Sequence, residues 1–294
     1  MLVASTSEAY AHLFRLLCEP GDEILVPRPS YPLFEPLAAL EDVRVEHYRL
    51  ACHERWQLDL DSVEGALSPR TRAIVAVQPN NPTGSCFAPG EMAAVESLCA
   101  ERGIAIISDE VFGDFPWAPS AAPLPTFLGE RRALTFVLSG LSKLCGMPQL
   151  KLAWIALAGP GPARSEALHG LEWIADLFLS VATPVQLALP KLLLARRPFQ
   201  AAVGERLDRN LSRLRAARRA GAAFEILEGE GGWSAVLAMP AGAGDFALEA
   251  LAKQNVLLHP AHFYDLTQES HAVASLLPDP ALFDEAVSRL QRMR

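Results

Sequence analysis

The chain has 294 residues, 50% hydrophobic and 20% charged, an ordinary globular composition with room for one large domain or two smaller ones. A formal net charge of −8 argues against a polyanion-binding surface, and so against a nucleic-acid partner. The five cysteines (Cys18, Cys52, Cys86, Cys99, Cys145) are odd in number and lack a C-x-x-C pair, which argues against zinc and disulfide frameworks and fits a reducing cytoplasm.

No apolar run reaches the roughly 18 to 20 residues of a membrane span, and no basic-then-apolar leader opens the chain. Ser5-Thr6-Ser7-Glu8 has the form of a capping box and precedes a helical pattern with Tyr10, Leu13, Phe14 and Leu17 on one face. Glu19-Pro20-Gly21-Asp22 ends that helix, and Glu23 to Pro27 reads as a short strand. Pro27, Pro29 and Pro32 fix an irregular turn around Tyr31. A helix is expected over Tyr31 to Leu40 and a strand over Val43 to Tyr48.

A strand–helix–strand grammar follows. Ala73 to Val77 is a continuous apolar run, as in a parallel strand covered on both faces, and it ends in Gln78-Pro79-Asn80-Asn81-Pro82-Thr83-Gly84. A helix from about Pro89 turns Met92, Val95, Leu98 and Cys99 inward and stops at Gly103. Ile104 to Ser108 is the next strand and ends in Asp109-Glu110. A Pro-rich loop over 116–125 leads to Thr135 to Leu138, a further strand that runs into Ser139-Gly140-Leu141-Ser142-Lys143.

Leu152 to Leu157 is a strand, with helices expected near 162–179, 184–195 and 198–220. The arginines of the last helix (Arg206, Arg209, Arg213, Arg215, Arg218, Arg219) read as a solvated face. From about residue 222 short strands (223–227, 233–239) alternate with helices (244–254, 281–292), and Asp279-Pro280 fits an N-cap and first helical position. The pattern implies an α/β fold: a three-layer large domain with a mostly parallel sheet over residues 1–199, and a smaller α+β domain over 200–294.

Ligands of such sheets bind beyond the carboxyl ends of the strands. Three apolar strands here end in chemically capable residues, Asn81, Asp109 and Lys143. A lysine between Leu141 and Leu144 is desolvated, and a desolvated lysine can be the neutral amine that attacks a carbonyl. Each residue also has an ordinary role open to it: Lys143 in a loop, Asp109 as a cap or ion-pair partner, Asn81 in a turn before proline, Tyr31 in a core.

Four separated pieces then stand in a recognisable order: Thr6-Ser7-Glu8-Ala9, Pro29-Ser30-Tyr31-Pro32, Asn80-Asn81-Pro82-Thr83-Gly84 with Asp109-Glu110-Val111, and Ser142-Lys143. In these the sequence resembles the fold-type I, pyridoxal-phosphate-dependent aminotransferases of class I/II, over nearly its whole length. The resemblance implies pyridoxal 5'-phosphate held on Lys143 as a Schiff base, with the freed amine moving the substrate proton. It implies that Asp109 pairs with the pyridinium nitrogen, that Asn81 hydrogen-bonds the phenolic oxygen, and that Tyr31 lies against the ring. Thr6, Ser7 and the start of their helix, with Ser142 and Lys151, would hold the phosphate. Lys151 stands where the family has an arginine, so the charge is kept and the bidentate fork is lost. An amino donor, a keto acid and a homodimer with shared active sites are the implied partners. A cofactor-binding sensor, or another pyridoxal chemistry such as a lyase, uses the same anchors.

The chain departs from the family pattern in three places. It begins partway into that pattern, so that a segment closing over the substrate, and most of a strand before the first helix, are not in it. Phe112 stands where the family often has a tyrosine, which removes one donor to the cofactor's phenolic oxygen and raises the Schiff-base pKa. Val273, in Ala272-Val273-Ala274-Ser275, stands where an arginine normally grips the substrate carboxylate. Arg28 and His271 are the candidate replacements. His259 and His262 lie near this segment, but no third ligand points to a metal.

Overall fold

The apolar runs become the strands of two sheets. The computed structural model describes residues 1–117, 123–179, 181–240 and 244–293; the Pro-rich loop expected over 116–125 lies partly outside them. In chain order the first part contains β1 (Leu2–Val3), α1 (Thr6–Leu17), β2 (Glu23–Arg28), α2 (Phe34–Ala39), β3 (Arg44–Cys52), β4 (Trp56–Leu58), α3 (Leu60–Ala66) and β5 (Thr71–Val77). Then come α4 (Pro89–Arg102), β6 (Ala105–Asp109), β7 (Thr135–Gly140), α5 (Leu141–Leu144), β8 (Ala153–Ala158), α6 (Gly161–Asp176), α7 (Thr183–Leu194) and α8 (Arg196–Arg219). The last part contains β9 (Glu225–Leu227), β10 (Ser234–Ala238), α9 (Phe246–Gln254), β11 (His259–Pro260), β12 (His271–Ser275) and α10 (Pro280–Leu290).

The large sheet has the order β1-β8-β7-β6-β5-β2-β3-β4. Strands β7, β6, β5, β2 and β3 run parallel, and β8, β1 and β4 are antiparallel additions at the edges. Side chains alternate between its faces. Ile24, Val26, Val75, Ile107, Phe136 and Leu138 pack with Tyr10 and Phe14 of α1 and Leu171 of α6. Leu25, Ile74, Ala76, Ile106 and Val137 pack with Val63 of α3 and Val95 and Cys99 of α4. Helices therefore cover both faces, the three-layer α/β/α arrangement expected from unbroken apolar strands. Burying one such Phe or Leu is worth about 1.5 to 3 kcal/mol.

Residue order along the chain explains where the site must lie. From β2 the sheet grows outward to β3, then β5 is laid on the other side of β2 and growth continues through β6 to β7. The connections diverge between β2 and β5, and a crevice opens at their carboxyl ends.

The second sheet is antiparallel, in the order β11-β12-β10-β9. Ala235 and Leu237 of β10, with Ala272 and Ala274 of β12, face Leu207, Leu211 and Leu214 of α8, Phe246 of α9 and Phe283 of α10. Its other face carries Val236 and Val273 against Trp56, Tyr264 and Leu266.

Several expected boundaries move, for local reasons. The helix expected from Tyr31 begins only at Phe34, because Pro32 disfavours helical backbone at Tyr31. The helix expected to reach residue 179 stops at Asp176. Strand β3 runs on to Cys52 by pairing with β4. The strand thought mostly missing before α1 survives as two residues paired with β8. Strands β11 and β12 were not foreseen. The caps of α4 and α10 fall as expected: Gly103 takes left-handed backbone at φ 66°, and Asp279 accepts from Ala281 N at 3.0 Å.

Candidate active site

The start of α1 is set by its cap. Ser5 Oγ accepts from Glu8 N at 3.1 Å, while the Glu8 carboxylate reaches back to Ala4 N at 2.5 Å, one residue earlier than in a standard capping box. The N–H groups of the first helical turn have no acceptor within the helix. Thr6 and Ser7 of that turn line a cavity of about 380 Å³ at the carboxyl ends of β5, β6 and β7.

The same cavity is lined by Tyr31, Asn81, Asp109, Ser142 and Lys143. Seven of the eight residues picked from the sequence therefore meet in one place. The eighth, Lys151, is exposed at the end of the short 3-10 turn Pro148–Leu150, with left-handed backbone, and is not among the lining residues.

Asn81 is presented by a locked loop. Buried Asn80 donates from Nδ2 to Pro29 O (3.0 Å) and Thr83 Oγ1 (2.9 Å), and its Oδ1 accepts from Ser30 Oγ at 3.3 Å. The β2 and β5 ends are thus tied together across the switch point. Gly84 closes the loop at φ 70°, where a Cβ would sit 2.6 Å from Gly231 O. Gly84 O in turn accepts from Glu230 N (2.7 Å) and Gly231 N (3.0 Å), Trp117 N donates to Glu230 O (2.9 Å), and Gly232 N donates to Phe115 O (2.8 Å). Residues 230–232 therefore run as a splint between the loops that follow β5 and β6.

Asp109 is a buried carboxylate at the end of β6. Its Oδ1 accepts from Val111 N at 3.1 Å, a local turn contact, and its Oδ2 accepts from the Tyr10 hydroxyl at 3.1 Å. No cation pairs with it among the described residues. Desolvation accordingly pushes its pKa up to about 6, against the opposing pull of those two hydrogen bonds. Tyr10 is raised in turn, first by its own burial and then by the Asp109 charge. The neighbouring Glu110 faces another way and accepts from Ser108 Oγ (2.8 Å), Thr126 Oγ1 (2.6 Å) and Phe127 N (2.8 Å).

Lys143 is delivered by a close crossing of β7 and β8. A Cβ on Gly140 would lie 2.8 Å from Ala153 Cβ and 3.1 Å from Leu152 O, so only glycine lets the chain turn into α5 there. Lys143 Nζ sits 4.9 Å from the Trp233 ring centroid and 5.6 Å from that of Phe112. Burial lowers its pKa, and Asp109 raises it by less. The amine form is therefore more accessible than in a surface lysine.

Sequence reasoning passed over two of these contacts. Tyr10 read only as a core position of α1, because its neighbour in space is 99 residues away. Trp233 carried no signal at all, since nothing local links the start of β10 to Lys143. Of the two candidate replacements for the missing arginine, Arg28 is engaged with Asp265 (3.2 Å) and lies 3.3 Å from His47 Nε2. His271 is half-buried with its pKa lowered by burial. Neither lines the cavity. His259 is taken by Tyr264, whose hydroxyl is 2.8 Å from Nδ1. Glu35, His47 and Asp265 cluster closely enough to hold a cation, but the Arg28 guanidinium already supplies the positive charge between them.

The cavity therefore combines a desolvated amine, an unpaired buried carboxylate, a helix N-terminus and an aromatic rim. That set suits an anionic ligand that also carries a group for the amine to attack and a cation for the carboxylate to pair with. The match to known proteins agrees: the chain belongs to the aminotransferase class I and II family, whose model matches residues 1–290. It is 32% identical over 197 residues to nicotianamine aminotransferase 1 of Oryza sativa subsp. japonica, covering 65% of this chain and 39% of that one. It is 31% identical over 191 residues to glutamate-pyruvate aminotransferase AlaA of Escherichia coli (strain K12), covering 64% and 46%. The chain thus spans less than half the length of these curated relatives. Among solved structures, alanine aminotransferase from Pyrococcus furiosus superposes with a TM-score of 0.85 at 27% identity, covering 99% of this chain and 75% of that one.

The family depends on pyridoxal 5'-phosphate, and the residues present fit it. Asp109 lacks a positive partner, and a protonated ring nitrogen is one. Among the described residues Lys143 is the only amine lining the cavity, and the first turn of α1 suits a phosphate. Asn81 lines the same cavity with an amide able to donate a hydrogen bond, while Phe112 offers no hydroxyl.

Proposed function

We propose that the chain is a pyridoxal-phosphate-dependent aminotransferase, moving an amino group from an amino donor to a keto acid through Lys143. The observation that carries this reading is Asp109, a buried carboxylate with no cation paired to it among the described residues, in the same cavity as a desolvated lysine. When bound, the cofactor supplies an aldehyde and an electron-accepting ring. Lys143 would hold the aldehyde and, with its amine free, would move a proton to and from the substrate Cα. Asp109 would keep the ring nitrogen protonated, with the Tyr10 hydroxyl donating to the Asp109 carboxylate. Asn81, Tyr31, Thr6, Ser7 and Ser142 would orient ring and phosphate. Lys151, exposed and outside the lining, would add only its charge.

In this reading residues 1–199 are the cofactor-binding domain and 200–294 a smaller domain carrying Trp233. The working form is a cytoplasmic homodimer. Helix α7 has no buried residue although its sequence is TPVQLALPKLLL, and Leu187 and Leu194 are more than three-quarters exposed on it. Trp173 and Leu177 of the α6 region add to this apolar surface, which is larger than single surface hydrophobics require. No described helix is long and apolar enough to cross a membrane.

The test is spectroscopic. Protein loaded with pyridoxal phosphate shows a visible band that Lys143→Ala abolishes, and amino donors convert it to the pyridoxamine form. A band indifferent to Lys143→Ala rejects the assignment. A Lys143-dependent band that no amino donor converts points instead to the sensor reading. Light scattering at the mass of a monomer with full cofactor occupancy would overturn the dimer.

A further inference from the structure

Val273 stands where the resemblance expects a carboxylate-gripping arginine, and its side chain is fully committed to packing. It is 2% exposed and packs with Trp56, Val236, Tyr264 and Leu266. Val273 therefore offers a substrate acid no cation.

Lys143 and Ser142 border a second cavity, of about 480 Å³, on the side facing α8. Its walls are largely apolar: Phe199, Val203, Trp233, Leu277 and Pro148. Apart from Lys143, the only cation lining it is Arg206. The arginines of α8 are exposed or half-buried, as expected of a solvated face, but they differ in their partners. Arg209 and Arg213 pair with Asp284 (3.9 and 3.6 Å), Arg215 with Glu228 (2.6 Å), and Arg218 with Glu225. Arg206 has no carboxylate within 4 Å among the described residues. Its Nη1 donates to Leu277 O at 3.3 Å, which holds the guanidinium beside the cavity and leaves its other N–H groups free. A second donor in the same wall is unsatisfied: Trp233 Nε1 is buried with no acceptor among the described residues.

We infer that Arg206, on α8, takes over recognition of the substrate carboxylate, and that the substrate is a monocarboxylic amino or keto acid with an apolar or aromatic side chain. This rests on the aminotransferase reading and specifies the substrate for it. The acid lies against Arg206, the apolar part against Phe199, Val203 and Trp233, and the reacting carbon faces Lys143. Among the described residues a second carboxylate would meet apolar walls and no further arginine, so this cavity disfavours dicarboxylic acids.

The experiment uses cofactor-loaded protein and the unreactive probe 3-phenylpropionate, with 3-phenylpropanamide as its neutral counterpart, measured by calorimetry. Arg206→Gln weakens 3-phenylpropionate by about tenfold or more, the usual contribution of a charged hydrogen bond, and leaves the amide unchanged. Arg206→Lys, which keeps charge without the fork, falls between. Arg28→Gln leaves both ligands unchanged, and all variants keep the Lys143-dependent band. Equal binding of 3-phenylpropionate to wild type and Arg206→Gln overturns the proposal, as do an equal loss for acid and amide and an absence of binding to wild type. Loss of the band in wild type rejects the aminotransferase reading instead, and the calorimetry still decides whether Arg206 binds the acid.

Discussion

The two ends of this molecule treat charge differently. At the carboxyl ends of β5 to β7 an ionisable carboxylate and an amine are buried at a cost, and every neighbour is arranged around that cost. On one face of β12, at Val273, where the resemblance expects an arginine, apolar side chains fill the space. The first region is arranged around charge and the second around packing, so Val273 itself offers no cation to a substrate acid.

The sharpest way to break this contrast is Lys143→Ala. In the proposed function it removes the group that both attaches the cofactor and transfers the proton, and about 10³-fold or more of the transamination rate should go with it. Borohydride reduction followed by mass spectrometry checks the attachment: the cofactor mass stays on wild type and is absent from the variant. Next in size is Val273→Arg, which restores the family residue. If the Val273 face is now built for packing, the buried guanidinium lowers stability by about 3 to 5 kcal/mol in urea denaturation and does not improve amino-donor binding.

Asp109→Asn probes the opposite half, in cofactor-free protein. Burial raises the folded pKa of Asp109 from 3.8 to about 6. The folded state thus holds the proton more tightly than the unfolded state, and wild type loses stability as pH rises from about 4 to about 6. Asparagine has no such loss. The variant's advantage should grow across that window and level off at about 3 kcal/mol above it. An advantage that is flat with pH would mean the carboxylate carries no burial cost. With cofactor bound the sign reverses, because the carboxylate then has its partner.

Tyr10→Phe gives the smallest effect. Its hydroxyl supports the ionised form of Asp109, so its removal costs about 1.5 kcal/mol at pH 8 and less at pH 4, where the carboxyl is protonated. Equal losses at both pH values would reduce Tyr10 to a packing role.

What the sequence made legible follows the same divide. Strand runs such as Ala73 to Val77 announce themselves because both faces are buried, and the residues just past them are positioned by the strand itself. Asn81, Asp109 and Lys143 could therefore be read together. Tyr10 and Trp233 could not, because each reaches the site by packing across the molecule rather than by following a strand. Strands β11 and β12 were missed for a related reason. A two-residue strand has no periodicity, and Ala272-Val273-Ala274 alternates only in what it packs against. Lys151 shows the converse: its spacing from Lys143 suggested a phosphate ligand, but left-handed backbone after Pro148–Leu150 leaves it in solvent.

The splint of residues 230–232 also sets a distance. Its backbone is bonded to Gly84 on one side and to Phe115 and Trp117 on the other, and Trp233 follows at once. The start of β10 is thereby stitched to the loops that carry Asn81 and follow Asp109. The indole that covers Lys143 is positioned from the cofactor side of the molecule, 4.9 Å from the amine, although it belongs in sequence to the second sheet.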